Sequence, residues 1–139
     1  MLKPTSSAAL VAITLALTSV PVLATADPHP PADPATGPRP SALHLDPGSF
    51  PATRAGAARM DFTLDGPGWV VQTVERACGT PACPQLGPAV TRIGKRGVNR
   101  GHFIGRVAGR PLRRGAYRLI LRGGGVRTSV VFHIVKPGA

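Results

Sequence analysis

The chain predicts an all-β fold, a two-sheet antiparallel sandwich of six to seven short strands. Three observations predict it. Apolar side chains recur at every second position from residue 59 onward, the period of half-buried strands. No window sustains the 3.6-residue period of an amphipathic helix. Glycine and proline clusters cut the chain at close intervals, and with 17 Gly and 16 Pro among 139 residues they disfavour helices further.

Residues 1–26 read as a signal peptide. Lys3 precedes the uncharged run "AALVAITLALTSVPVLATA", which closes on Ala24-Thr25-Ala26, the small-x-small pattern of a signal-peptidase site. An uncleaved anchor is disfavoured by Thr18, Ser19 and Pro21 inside the run. No cysteine follows for a lipid anchor, and no later stretch is apolar enough to span a bilayer as a helix. Export and release into the extracellular space is the expectation.

Residues 27–41 read as a disordered tether. "DPHPPADPATGPRP" is nearly half proline, which fixes φ and offers no N–H to a helix or sheet ladder. Asp27-Pro28-His29 has His in the third place of an amino-terminal copper site. That site needs a deprotonated amide from the second residue, and Pro28 has none to lose.

Residues 42–136 form the expected domain, with 137–139 as a tail. "ALHL" puts Leu43 and Leu45 on one face of a first strand. "RMDFTL" sets Met60, Phe62 and Leu64 against Arg59, Asp61 and Thr63. "WVVQTVER" is extended with its facing undetermined, because Val70 and Val74 flank Gln72 while Trp69 and Val71 take the other side. "PAVTRIG" is a short strand. "GHFIGRV" alternates Phe103, Gly105 and Val107 with His102, Ile104 and Arg106. "AYRLILR" gives Tyr117, Leu119 and Leu121, and "VRTSVVFHIV" gives Val130, Phe132 and Ile134. "LRGGGVR" between these last two strands is a glycine-turned hairpin.

The two cysteines lie in "ACGTPAC". In an exported chain Cys78 and Cys83 pair with each other, closing a short loop. The closure stabilises by about 2 kcal/mol through loop entropy. The spacing is not that of a C-x-x-C redox motif, and no second pair completes a zinc site.

Leu112-x-x-Gly115-x-Tyr117, at the start of the penultimate strand, resembles the tyrosine corner of immunoglobulin-like and fibronectin-type III sandwiches. There the tyrosine ring fills the core while its hydroxyl bonds backbone a few residues upstream. Arg114 stands where that family usually has proline. The wider order "MDFTL…WVVQTVERA…NRGHFIGRVAGRPLRRGAYRLILR…VVFHIV", over roughly residues 58 to 136, is similar to domains of secreted proteins from high-GC, actinobacterial-type bacteria. The resemblance implies an accessory, adhesive or structural module. It brings no catalytic or ligand-binding residue, and the inter-sheet disulfide of antibody domains is absent.

The residues argue against an enzyme. The carboxylates are Asp27, Asp33, Asp46, Asp61, Asp65 and Glu75, with none after residue 75. Asp65 sits in the turn "LDGPG", where it is expected to bond local backbone. Asp61 and Glu75 are expected as surface partners of arginines. Ser129 and His133 lie four strand residues apart, about 13 Å, too far for a nucleophile–base bond. His44, His102 and His133 fall on different strands with no metal-ligand spacing, so no metal and no cofactor is expected.

The remaining signal is charge. The formal net charge is +11, and from Arg76 to the end there are eleven arginines and two lysines with no acid. If the last two strands pair, Arg118, Arg122 and Arg127 face outward on one sheet surface, while Arg110, Arg113 and Arg114 crowd the corner below. A field of that sign concentrates anions, and the guanidinium fork suits phosphate and carboxylate. The counter-reading is coding bias, since Arg outnumbers Lys fourteen to three.

The expectation is an exported, non-catalytic sandwich with an adhesive, structural or protein-binding role. The alternative is a binder of anionic cell-envelope polymers or lipid head groups through the basic sheet face; a hydrolase or metal-binding protein stands well behind. Nucleic acid is not the expected anion. Aromatics are 4% of the chain and mostly claimed by the core, leaving no stacking platform and no recognition helix.

Overall fold

The computed structural model describes residues 36–80 and 83–138. The signal segment, the tether through residue 35 and Asp27-Pro28-His29 lie outside the described residues. Those described form ten strands: β1 Pro40–Asp46, β2 Ser49–Pro51, β3 Ala58–Leu64, β4 Gly68–Arg76, β5 Gln85–Gly94, β6 Gly97–Phe103, β7 Arg106–Val107, β8 Arg110–Pro111, β9 Gly115–Gly123 and β10 Val126–Val135. A three-stranded sheet, β1-β3-β6, faces a five-stranded sheet, β2-β10-β9-β4-β5, and β7 and β8 form a small ribbon at one end. The fold is an all-β sandwich.

Alternation places the core. Leu43, Leu45, Met60, Phe62 and Leu64 come from the small sheet, and Val70, Val74, Leu119, Leu121, Phe132 and Ile134 from the large one. Phe132 is fully buried, with ring centroids of Phe103, Tyr117 and Phe50 at 5.2, 5.6 and 5.8 Å. Offset and edge-to-face aromatic contacts of this kind stabilise beyond the area they bury.

The strands depart from the sequence expectation in four ways. The first begins at Pro40, with Pro38 and Pro40 buried, inside the stretch read as tether. Proline is tolerated there because it opens an edge strand. The sandwich is mixed rather than purely antiparallel: after β1 the chain crosses to the large sheet, and β2 lies parallel to the end of β10, burying Phe50.

Residues 101–107 are not one strand. β6 ends at Phe103, and Gly105 has φ +65°; a Cβ on it would stand 3.0 Å from Ile134 and 3.1 Å from Phe50. That close approach and left-handed φ require glycine, and they turn the chain away from the sheet. Finally, β5 is longer than expected. It runs from Gln85 because two extra residues bulge between Leu86 and Val90 opposite the single Thr73.

The facing of β4 is now defined. Gln72 pairs with Leu121 and Val74 with Leu119, so Val70, Gln72 and Val74 face the core while Val71, Thr73 and Glu75 face outward. Gln72 is buried and accepts a hydrogen bond from Arg92 Nε on β5. The hairpin joining β9 and β10 turns on Gly124 and Gly125, φ +55° and +75°, the two positive values of a type I′ turn.

Candidate functional site: two arginine groups at one corner

The register of the large sheet brings outer-face residues into transverse rows. Val71, Arg122 and Arg127 form one, Thr73, Ile120 and Ser129 the next, and Glu75, Arg118 and Val131 a third. Arg122 and Arg127 stand directly opposite, an arrangement that like charges disfavour. Glu75 offsets it. Its Oε2 lies 3.5 Å from Arg127 and 3.9 Å from Arg118, and its Oε1 lies 4.0 Å from Arg122. Glu75 is buried, and its Oε2 makes no hydrogen bond, so the attraction is coulombic rather than a fitted fork. Thr73 and Ile120 are buried in the neighbouring row, although they face away from the core. Long arginine stems flanking them on the same face cover such a row while their heads stay wet.

Glu75 thus partners arginines as expected, but from a buried position and as the shared counter-ion of three. Sequence reading named Arg118, Arg122 and Arg127 and missed their hub. The available signal was the position of Glu75, the last acid in the chain, closing an extended run whose facing the sequence left open.

The second group lies past the end of β4. A cleft of about 500 Å³ opens between the β5 bulge, the β7–β8 ribbon and the start of β9. Leu86, Val107, Leu112 and Tyr117 supply its apolar lining, and Arg76, Arg110 and Arg113 its charge. These three arginines are exposed, and none forms an ion pair with a described carboxylate. Arg110 and Arg113 were named from sequence; Arg76 was not. Arg114 separates from them and lines a neighbouring hollow with Lys136 and Ile134.

Backbone contacts hold this corner. The Tyr117 hydroxyl donates to the Arg113 carbonyl at 2.6 Å, four residues upstream, while the ring packs in the core. Gly115 opens β9 at φ +150°, and Leu112, half-buried against the core, donates its N–H to the Gly105 carbonyl at 2.9 Å. Cys78 and Cys83 form a disulfide with Cα atoms 5.6 Å apart, tying the β4–β5 connection beside the cleft. Ala77 N–H bonds the Ala116 carbonyl at 3.0 Å, fixing the same connection to β9.

The opposite face of the sandwich is electrically balanced. Cross-strand rows place Asp46, Arg59 and His102 together, and His44, Asp61 and Arg100 beside them. Arg59 lies 3.2 Å from Asp61 and 3.9 Å from Asp46. Asp65 accepts not from its own turn but from the Arg39 N–H at 2.7 Å, pinning the start of β1 to the end of β3. His44, His102 and His133 are exposed on three strands. Among the described residues no group of three or more His, Cys, Asp or Glu can hold a metal ion, and no helix is long and apolar enough to cross a membrane.

Comparison with protein-family models and with curated proteins finds no match to this chain.

Proposed function

We propose that the chain is an exported, non-catalytic module of immunoglobulin-like type that binds a protein partner at or outside the cell envelope. The leader pattern of residues 1–26 and the Cys78–Cys83 bridge support export. The Tyr117 hydroxyl bound to the Arg113 carbonyl, at the head of the penultimate strand, supports the immunoglobulin-like type. The observation that carries the binding role is the corner cleft, where three guanidiniums with no carboxylate partner among the described residues surround an apolar lining. Exposed arginines beside apolar surface are characteristic of protein interfaces.

The test is cross-linking and pull-down at the native cell surface with the wild-type chain and an Arg76→Ala, Arg110→Ala, Arg113→Ala variant. The reading expects a discrete protein captured by the first and lost by the second. Equal capture by both removes the cleft from the account.

A second reading is favoured by one observation, the three arginines sharing a single carboxylate on the outer face. The local excess of positive charge suits an anionic envelope polymer. Retention on such a polymer then falls steeply with salt, and Arg118→Ala with Arg122→Ala lowers both affinity and salt slope. Binding unchanged in that double variant excludes this face.

A further inference from the structure

The corner cleft has two chemistries in one place, and together they narrow what fits. Its charged rim, Arg76, Arg110 and Arg113, meets no acid among the described residues that line the cleft. The nearest acid along β4, Glu75, faces the other way and is held by three other arginines. Its floor is apolar, built from Leu86, Val107 and Leu112, each half-buried against the core and so partly open to an incoming group. We infer that the cleft docks an acidic peptide segment that presents one apolar side chain between carboxylates. The apolar side chain covers Leu86, Val107 and Leu112, and the flanking carboxylates take the guanidinium forks in bidentate pairs. This rests on the protein-binding reading and specifies the ligand.

Other anions fit less well. Phosphate and sugar-acid polymers carry no apolar group and gain nothing from the floor. A nucleobase needs an exposed aromatic face, and Tyr117, the one aromatic side chain among the described lining residues, is 2% exposed with its hydroxyl engaged. An acyl chain covers the floor but brings no counter-charge to the three guanidiniums. The walls are also held before any ligand arrives: Leu112 is tied to Gly105, Arg106 donates to the Gly109 carbonyl at 3.0 Å, and the Arg113 carbonyl is bound by Tyr117. Preorganisation of this kind lowers the ordering cost of binding.

The experiment is a fluorescence-anisotropy titration of the intact chain. The probes are short labelled peptides of Asp and Glu with Leu at the centre, the same peptides with Gly at the centre, and phosphatidylglycerol vesicles. The Leu-centred peptide is expected to bind about tenfold or more tighter than its Gly counterpart, the effect of covering one leucine side chain. Arg110→Ala with Arg113→Ala is expected to weaken both peptides. Leu86→Ala is expected to bring the Leu-centred peptide down towards the Gly-centred one. An unchanged melting temperature checks that the exposed arginine variants keep the fold.

Equal affinity for the two peptides, or tighter binding to vesicles than to the Leu-centred peptide, overturns the inference. Its failure is distinguishable from failure of the wider reading. If native-surface capture still depends on the three arginines while the peptides do not discriminate, the protein-binding role stands and only the ligand assignment falls.

Discussion

Tyr117 and Glu75 do different work within two positions of the same register. The Tyr117 ring stacks on Phe132 while its hydroxyl reaches the Arg113 carbonyl, so one side chain joins core and corner. Tyr117→Phe keeps the ring and removes the bond. It is expected to destabilise the domain by about 1–2 kcal/mol in chemical denaturation, because the exposed Arg113 segment can recover a water partner. Glu75, paired across the strands with Arg118, is the only acid among the described residues of the outer face formed by β4, β9 and β10. Glu75→Gln leaves three guanidiniums facing one another. It is expected to cost about 1–3 kcal/mol at low ionic strength and clearly less in high salt, since screening weakens both the lost attraction and the new repulsion. A loss independent of salt would mean that Glu75 acts by packing alone.

At the scale of the element, β5 is one of the two edge strands of the large sheet and carries an unusual inward residue. Arg92 pairs with Val70, so it occupies the core-facing side of an edge strand, half-buried, and burial lowers its pKa below the ordinary arginine range. Its Nε donates to the buried Gln72. The two residues explain each other: a polar residue on the core face of β4 persists because the edge strand supplies its donor. Arg92→Met alone is expected to destabilise by about 1–3 kcal/mol, leaving the Gln72 carbonyl oxygen without its partner. Adding Gln72→Leu is expected to restore wild-type stability or exceed it, because apolar replacements remove both desolvation penalties. Thermal and denaturant melts of the two variants decide this, and a double variant weaker than the single would refute the pairing argument.

For the whole molecule, charge is segregated by face. The outer surface of the small sheet alternates acid, arginine and histidine, whereas the large sheet and the β7–β8 corner carry nearly unopposed arginine. An anionic partner is therefore steered to one side, and its association rate should fall with ionic strength. Arg76→Ala with Arg110→Ala is expected to slow association with an acidic peptide and flatten its salt dependence. Arg59→Ala with Arg100→Ala, on the balanced face, is expected to change either much less. Stopped-flow association at several salt concentrations separates the two. Comparable effects from both pairs would mean that net charge, not its placement, governs encounter.

The all-β class, the core faces of β3, β9 and β10 and the glycine hairpin were all legible in the sequence, because period-two alternation and turn chemistry are local properties of the chain. Tertiary structure alone decided the facing of β4, the break at Gly105, the parallel pairing of β2, the grouping of three arginines on Glu75 and the meeting of Arg76 with Arg110 and Arg113. Each depends on residues distant in sequence being placed side by side. Arg76 and Arg110 share a cleft because β4 ends where the β7–β8 ribbon folds back, and Glu75 gathers its three partners because β4, β9 and β10 lie in register. Alternation says which side a residue faces; strand pairing determines what waits for it there.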